Sequence, residues 1–339
     1  SWSNTFICSK RIFKNLWRLV GKRPLVFTNN DSGYETAIEF KKNGVDSIIL
    51  DTRKDPRSEI VNEAKSLSID IKFSYVVVAA KGYKKVKSAD IAKISDDKKK
   101  LSQIENIDCD CICVSGFWTP TIHLASQSGN KTKFNQDIDA FIPDQSKQNE
   151  TVLGSANGIF TLEETLKTSF EKGSELSKKI TKKDNKISLP SVVEKKYSSH
   201  DKFWCVPMPE RKNYKRFLDF QNDVVVSDIE LALREGYRSI EHVKRYTTLG
   251  MATDQGKTSN LNGLQLVSDV ENKVVPQVGH TTFRPPYSPV SIGAIVGREI
   301  GKHSKPTRKS PMHLWHEKNN AVFVDAGVWL RPRYYKQGN

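Results

Sequence analysis

The sequence predicts an α/β protein in which a partial nucleotide-binding domain is followed by a small helical module and by the beginning of another domain. In the first half of the chain, short apolar runs alternate with stretches of helical periodicity, as in a parallel sheet with crossover helices. From Ser227 onward, short helical patterns are separated by glycines. The length of 339 residues is enough for about two domains.

The chain has a formal net charge of +15, from 54 Lys and Arg against 39 Asp and Glu. Such a balance can indicate a nucleic-acid partner. The lysines are, however, spread along the chain, and the sequence contains no stripe of arginines interleaved with aromatics. We therefore predict no nucleic-acid partner and attribute the charge to solvated surface.

The sequence also lacks the signals of a membrane or secreted protein. No apolar run approaches the length of a membrane span, and residues 1–20 lack the apolar core of a signal peptide. The five cysteines form an odd set without the spacing of a disulfide framework, which is typical of a reducing compartment. These features predict a cytoplasmic protein with no membrane partner.

The first predicted βαβ unit starts with the apolar run Leu25–Phe27, which leads into a polar turn and a helical pattern. A second apolar run ends at Asp51, roughly 20 residues after the turn, where an acidic side chain can bind a ribose hydroxyl. This is the outline of a Rossmann unit, although only Gly33 survives of its glycine fingerprint. Polar side chains would then replace close backbone approach to a pyrophosphate. Asp51 favours NAD, while Arg53 leaves room for the 2′-phosphate of NADP.

Two later segments extend this domain. Val114–Pro120 resembles the strand and turn that close the nucleotide domain of flavin disulfide-reductase-type proteins. Val152–Gly158, with a helical pattern over Leu162–Ser177 after it, resembles a later segment of the same fold. Their order and spacing predict a Rossmann-like FAD/NAD-binding domain of the disulfide-reductase type.

Three of the cysteines lie close together in the run Cys109–Cys113, as the ligands of a metal site often do. They alternate along a β-like run, however, and no second pair of ligands with metal spacing follows. We predict buried strand cysteines and no metal. His313 and His316 share one helical spacing without a third ligand, and His242 lies in a helical pattern, so neither region predicts a metal or a catalytic histidine.

The stretch Tyr246–Asn260 combines two glycines, a lysine and several short polar side chains before a helical pattern. A loop of this kind can present backbone N–H groups and the positive end of a helix dipole to an anion. The end, Gly256-Lys257-Thr258, fits a P-loop, but Gly250 is one residue out of place and no strand precedes the loop. An anion-binding loop and a plain tight turn between two helices remain the alternatives.

The helical module is predicted from its capping signals. Ser227 and Glu230 form a capping box, and Gly236 ends the first helix. Ser239 begins the second helix and Gly250 ends it. This order resembles a small [2Fe–2S] module, but no cysteine stands at the corresponding positions, so the resemblance predicts that no cluster binds. Those positions are Asp219, Gln221, Asp254 and Ser259.

Four motifs then give a closer resemblance: Phe217–Asp223, Glu241–Thr247, Gly250–Asn260 and Thr281–Tyr287. They are similar to segments of the α subunits of heterotetrameric sarcosine oxidases, and the resemblance extends from about residue 23 to the end. The stretch 311–329 resembles the start of a folate-binding, aminomethyltransferase-like domain. We therefore expect an internal fragment of such a subunit. The expected divisions are an incomplete segment at 1–20, the NAD-binding Rossmann-like domain at 21–177, a linker at 178–196, the cluster-less helical module at 197–300 and a truncated folate domain at 301–339.

This resemblance implies an activity that the fragment alone would lack. Members of the family oxidise sarcosine to glycine, with hydrogen peroxide as one product and methylene-tetrahydrofolate or formaldehyde as the other. It implies NAD on the α subunit, FMN shared with the β subunit and FAD on the β subunit. Tetrahydrofolate would bind in a C-terminal part outside this chain. The implied partners are the β, γ and δ subunits of a heterotetramer.

The resemblance also implies two groups of cofactor-binding residues and no catalytic residue in this chain. Lys257 would supply charge to the FMN phosphate, Gly256 close backbone approach, and the neighbouring side chains hydrogen bonds. The predicted FMN group is Thr253, Gln255, Gly256, Lys257, Thr258, Ser259 and Arg284. The predicted NAD group is Asn29, Asn30, Asp31, Ser32 and Asp51.

Two alternatives from other classes stay open. The chain is a subunit of a related amine or amino-acid dehydrogenase, acting on proline, glycine or opines, or it is a non-enzymatic interaction module with decayed nucleotide sites. Oxidation of those substrates would favour the dehydrogenase, and partner binding without NAD binding would favour the interaction module.

Overall fold

The computed structural model describes the backbone of residues 3–5 and the whole of residues 21–116, 118–182, 189, 192, 200–209, 214–298, 301 and 306–337. The chain divides into two compact units, residues 1–287 and residues 288–339. None of the described helices combines the length and apolar character needed to cross a membrane. Cys8 and most of the predicted linker lie outside the described residues.

The first unit mixes strands and helices in an α/β arrangement, as predicted. Its strands are β1 Ser3–Thr5, β2 Pro24–Thr28, β3 Ile48–Asp51, β4 Asp70–Phe73, β5 Tyr75–Gly82, β6 Val86–Lys93, β7 Glu105–Asp108, β8 Cys111–Ser115, β9 Thr132–Asn135, β10 Ala140–Pro143, β11 Phe217–Asp219 and β12 Val224–Val225. Its helices are α1 Ser32–Lys42, α2 Glu59–Ser66, α3 His123–Gln127, α4 Leu162–Thr181, α5 Val226–Arg234, α6 Ile240–Thr247, α7 Asn260–Glu271 and α8 Val275–Val278, with a 3₁₀ turn at Gly154–Asn157.

A five-stranded parallel sheet in the order β1-β8-β2-β3-β4 is the centre of the Rossmann-like part. Strands β2, β3 and β8 are mostly buried apolar runs, as expected for a parallel sheet covered on its faces. Helix α1 crosses from β2 to β3 and buries Tyr34, Ala37 and Phe40. The predicted first βαβ unit is therefore confirmed.

Two strand-like stretches of the sequence are each divided in the structure. The run Ile71–Ala79 is broken at Ser74, whose φ of 59° turns the chain from β4 into β5. Strands β5, β6 and β7 form a separate antiparallel sheet. The run Ile104–Ser115 is likewise split into β7 and β8, which belong to different sheets.

Three apolar cores hold the first unit together. One lies between the parallel sheet and helices α1 and α2, and a second lies between that sheet and the antiparallel sheet. The third is the core of the helical module, with Ile229, Val243 and Leu249 fully buried. Ile122 and Phe141 also belong to this third core, so part of the predicted Rossmann-like region packs with the helical module.

The helical module has its predicted order of helices, but two ends differ from the prediction. Helix α5 begins at Val226, and Asp228 accepts a hydrogen bond from the backbone N of Val225 at 2.9 Å, so Ser227 is not its N-cap. Helix α6 begins after Ser239 as predicted, yet it ends at Thr247. Its C-cap is Thr248, which has a φ of 63° and lies two residues before Gly250.

The second unit contains helix α9 Ile292–Val296, strand β13 Arg308–Lys309, helix α10 His313–Lys318, and strands β14 Ala321–Ala326 and β15 Trp329–Tyr335. Its three strands form one sheet in the order β13-β15-β14. The unit begins at Ser288, whereas the sequence predicted a boundary after residue 300. Its assignment to a folate-binding domain stays a prediction.

Candidate functional site

Polar residues stand side by side at the carboxyl edge of the parallel sheet. In the strand register, Thr28 pairs with both Asp51 and Ser115, so the ends of β2, β3 and β8 lie at one level. Strand β2 has β3 on one side and β8, which comes much later in the chain, on the other. Such a point of strand reversal is where open parallel sheets bind nucleotides.

The predicted NAD turn is folded in on itself at this edge. The Asn30 amide donates to the carbonyl of Gly116 at 2.6 Å, while its Oδ1 accepts from the backbone N of Ser32 at 2.8 Å. The Ser32 and Ser115 hydroxyls are 2.9 Å apart. A Cβ on Gly33 would lie only 2.6 Å from Thr28 Cβ, so glycine is required here for packing against the strand. The turn's side chains thus bind the sheet edge and one another.

Asp51, the predicted ribose ligand, is fully buried and already paired. Its carboxylate accepts from the Tyr34 hydroxyl at 2.7 Å and from the Arg53 guanidinium at 2.8 Å. Arg53 also donates to Asp31 at 2.8 Å. Burial and the neighbouring Asp51 raise the pKa of Tyr34, and bonds to Asp51 and Asp31 raise the pKa of Arg53 against the opposing effect of burial. In this arrangement neither Asp51 nor Asp31 fits the role of a free ribose acceptor.

The second candidate region is the loop between helices α6 and α7. Gly250 and Gly256 have φ values of 65° and 72°, which only glycine adopts readily. A Cβ on either would collide with the side chain of Asn260, which is buried between them. Asn260 Nδ2 donates to Thr281 Oγ1 at 2.9 Å, which joins the loop to the segment 279–287.

Lys257 is half-buried in this loop, beside Tyr287. Its ammonium donates to the Tyr287 carbonyl at 2.6 Å and stands 4.3 Å from the centre of the Tyr287 ring. An ammonium has more N–H donors than this one bond uses, so Lys257 retains the capacity to bind an anion. Of the predicted FMN group, it is the side chain whose chemistry and position suit a phosphate best.

His123 lies beneath Lys257, a neighbour that sequence reasoning missed. Its ring centre lies 3.8 Å from that of Phe283, with the two rings tilted, and 5.8 Å from that of Tyr287, which it meets edge-on. Burial, and then the positive charge of Lys257, lower the pKa of His123 to about 4, although the backbone of Gln255 and the carboxylate of Asp254 act in the opposite direction. The imidazole is therefore neutral near pH 7 and leaves Lys257 as the nearby cation.

The other predicted FMN residues differ in their freedom to bind. The Thr253 hydroxyl donates to Gln221 Oε1 at 2.7 Å, and the Thr258 hydroxyl donates to Asp254 at 3.0 Å. Gln255 Nε2 donates to the Ala252 carbonyl at 2.9 Å, which leaves a second amide hydrogen. Ser259 is fully buried, with no hydrogen-bond partner for its hydroxyl among the described residues.

The start of helix α7 and Arg284 complete the predicted FMN group. Ser259 and Asn260, on either side of this helix start, are both buried, and the anion site there stays a prediction. Arg284 is exposed and close enough to Lys244 to help lower the pKa of that lysine, although burial is the larger cause. The structure thus brings Lys257 and Gln255 into one loop and leaves Arg284 on the surface.

Three of the four positions that the resemblance aligned with cluster ligands form hydrogen bonds to the loop or within it. Asp219 accepts from the backbone N of Gly250 at 2.8 Å, and Gln221 accepts from Thr253. Asp254 accepts from the backbone N of Gly256 at 3.1 Å. These bonds hold the hairpin β11–β12 against the loop, so the polar side chains have a structural role where cysteines would bind iron.

The described cysteines and histidines do not converge on a metal. Cys109, Cys111 and Cys113 are buried as predicted, and the Sγ atoms of the last two are 3.9 Å apart in strand β8. His313 contacts Glu317 at 3.1 Å, whereas His316 contacts the hydroxyl of Tyr335. Across the part of the chain that the structure describes, no group of three His, Cys, Asp or Glu side chains is placed to hold a metal ion.

A cleft of about 440 Å³ opens at the opposite, amino edge of the parallel sheet. Its charged residues include two neutralised pairs, Arg23 with Asp108 at 3.3 Å and Lys41 with Asp46 at 2.6 Å. The cleft contains none of the predicted cofactor residues, and nucleotides bind at the carboxyl edge of such sheets.

Comparison with known proteins gives matches to sarcosine oxidase α subunits. Residues 213–298 match the family model described as the sarcosine oxidase A3 domain. The chain is 35% identical over 322 residues to the sarcosine oxidase subunit alpha of Rhizobium meliloti (strain 1021), covering 93% of this chain and 31% of that protein. It is 31% identical over 324 residues to the corresponding subunit of Corynebacterium sp. (strain P-1), covering 94% and 33%. The resemblance to sarcosine oxidase α subunits is confirmed.

The chain spans about a third of the length of these sarcosine oxidase subunits. Among solved structures, L-proline dehydrogenase from P. horikoshii is similar over 88% of this chain and 54% of that chain, with a TM-score of 0.58 and 16% identity. This likeness concerns the fold and agrees with the predicted α/β architecture. The matched A3 domain contains the whole loop from Gly250 to Asn260 together with the segment that carries Tyr287.

Proposed function

We propose that the chain is part of the α subunit of a flavin-dependent amine oxidoreductase of the sarcosine oxidase type. The observation that carries the proposal is the similarity to sarcosine oxidase α subunits over more than nine-tenths of the chain. By this proposal, the assembled enzyme oxidises the N-methyl group of sarcosine. Glycine, hydrogen peroxide, and either formaldehyde or methylene-tetrahydrofolate are its products.

The proposed contribution of this chain is to hold the phosphate of an FMN that it shares with a β subunit. Lys257 supports this role because its ammonium keeps N–H donors beyond the bond to the Tyr287 carbonyl. Gln255 supplies an amide donor from the same loop. The flavin itself supplies the redox chemistry; the residues of this chain bind and orient its phosphate. We propose that the whole enzyme also contains β, γ and δ subunits, an FAD on the β subunit and a bound folate.

For NAD, we propose a position for the site but no ribose ligand. The carboxyl edge at β2, β3 and β8 is the expected place for a dinucleotide, but Asp51 is paired with Tyr34 and Arg53. A dinucleotide at this edge would lie near Asn29, the first residue after strand β2. The ribose role predicted for Asp51 would require a different pairing of Arg53.

The FMN proposal is tested by flavin content after copurification of the protein with its partner subunits. Lys257→Met removes a charged donor to the phosphate, a loss worth about 1.5–3 kcal/mol, or roughly tenfold to a hundredfold in Kd. We expect most FMN to be lost from this variant. Lys273→Met is the matched control, because Lys273 pairs with Glu271 at the far end of helix α7. Unchanged FMN content in Lys257→Met would refute the phosphate role.

The same preparation separates the alternative functions. Oxidation of sarcosine in preference to proline, glycine or opines supports the proposed activity, while faster oxidation of one of those supports a related dehydrogenase. A wild-type complex that assembles without flavin or NAD would instead support an interaction module.

A further inference from the structure

The segment His200–Lys202 crosses the carboxyl edge of the parallel sheet. The backbone N of Asp201 donates to the Asn29 carbonyl at 2.8 Å, and the Asn29 side-chain amide donates back to the Asp201 carbonyl at 2.9 Å. These two bonds join positions 172 residues apart in the sequence. Asn29 is the first residue after strand β2, so the segment lies where a nucleotide would approach the sheet.

The Asp201 carboxylate is bound by groups that suit any anion. Thr52, the residue after strand β3, donates its hydroxyl to Asp201 at 2.9 Å. The ammonium of Lys98 forms an ion pair with the same carboxylate, and the side chain of Asp201 is only 16% exposed. A hydroxyl, an ammonium and, beside them, the Asn29 amide are the donors with which proteins hold phosphate groups.

The same segment is anchored a second time, away from the sheet. His200 Nε2 lies 3.2 Å from one carboxylate oxygen of Asp139, and Lys202 donates to the other at 2.7 Å. Asp139 is buried in the turn between β9 and β10. Because these anchors flank Asp201, replacing Asp201 would free the donors at the sheet edge without removing the segment.

We propose that Thr52 and Lys98, with Asn29 beside them, form a binding site for the phosphate of a dinucleotide, and that the carboxylate of Asp201 competes with that phosphate for Thr52 and Lys98. The proposal rests on the proposed NAD function of this edge. It assigns ligand roles to Thr52 and Lys98, and it makes Asp201 an intrachain inhibitor of binding. The site lies at the strand reversal. The Thr52 hydroxyl and the Lys98 ammonium are already directed at an anion, and the Asn29 amide, which donates to the Asp201 carbonyl, lies beside them.

The test is calorimetric titration of the full chain with NAD. Asp201→Ala should bind NAD at least about tenfold more tightly than the wild type, because its donors no longer have a competitor. The double variant Asp201→Ala with Lys98→Ala should lose that gain. Asp96→Ala is the matched control, since Asp96 is exposed in the same turn as Lys98 and pairs with Lys54. It should bind NAD like the wild type.

Equal NAD affinity in Asp201→Ala and the wild type would overturn the proposal, as would a gain that survives the loss of Lys98. Asp201→Asn keeps the shape of the side chain and removes its charge, so it tests the same competition with less risk to folding. It should bind NAD more tightly than the wild type. FMN content of the same variants, measured after copurification with the partner subunits, should not change. A loss of NAD binding with intact FMN retention would therefore count against this site alone and not against the flavin proposal.

Discussion

Replacement of Arg53 by Met tests whether Asp51 and Asp31 are structural partners of that arginine. Arg53 is 9% exposed and bonds Asp51 and Asp31, whose side chains are 0% and 1% exposed. In the variant, the Tyr34 hydroxyl would still donate to Asp51, but both carboxylates would lose the bonds that the Arg53 guanidinium donates to them. Leaving a buried charge without its partner costs about 3–5 kcal/mol.

We therefore expect Arg53→Met to lower the free energy of unfolding by about 3–5 kcal/mol, measured by urea denaturation monitored by circular dichroism. Arg57→Met is the matched control, because Arg57 is 87% exposed and pairs with Asp55 in the same loop. A surface pair of this kind contributes about 0–1 kcal/mol. If Arg53→Met cost no more than Arg57→Met, the pairing of Asp51 would not be structural, and its carboxylate would be available to a ribose.

Two further predictions concern the loop and its neighbour. His123 has a pKa of about 4 in the folded protein, below the roughly 6.5 of an unfolded chain, so the unfolded state binds the proton more readily and stability falls as the pH drops through that window. His123→Phe should remove about 1–3 kcal/mol of this pH dependence between pH 7 and 4.5 in urea unfolding. Equal slopes in wild type and His123→Phe would contradict the reasoning. Gly256→Ala and Gly44→Ala share a positive φ, of 72° and 76°, but only Gly256 faces the Asn260 side chain while Gly44 faces open space. Both should lose about 1–2 kcal/mol to backbone strain, and Gly256→Ala about 1–3 kcal/mol more; equal losses in thermal or urea unfolding would argue against close packing of the loop.

Local pattern was sufficient to predict the elements of the first βαβ unit. Apolar runs fixed strands β2 and β3 and the position of Asp51, because a buried parallel strand has few alternatives in sequence. The break at Ser74 was not predictable, since a serine with φ of 59° carries no distinctive signal. The end of helix α6 was misplaced for the same reason, because Thr248 adopts the positive φ that Gly250 was expected to supply.

The contacts that decide the chemistry were beyond sequence reasoning. Asp201 meets Asn29, Thr52 and Lys98 across separations of 172, 149 and 103 residues, and nothing near Asp201 in the sequence indicates those partners. His123 packs against Phe283, which lies in the segment that is bonded to the loop, and a single sequence does not reveal this contact. The spacing of Asp51 from the turn predicted a ribose ligand, and Arg53 was considered only for the choice between NAD and NADP. In the structure, Arg53 is the counter-ion of Asp51.

The most direct test of the proposed function compares FMN with riboflavin, which lacks the phosphate. The flavin-free protein, assembled with its partner subunits, is titrated with each flavin and the quenching of flavin fluorescence is followed. If Lys257 holds the phosphate, Lys257→Met should weaken FMN binding by roughly tenfold to a hundredfold and leave riboflavin binding unchanged. Equal weakening of both flavins, or of neither, would contradict the assignment of this loop to the phosphate.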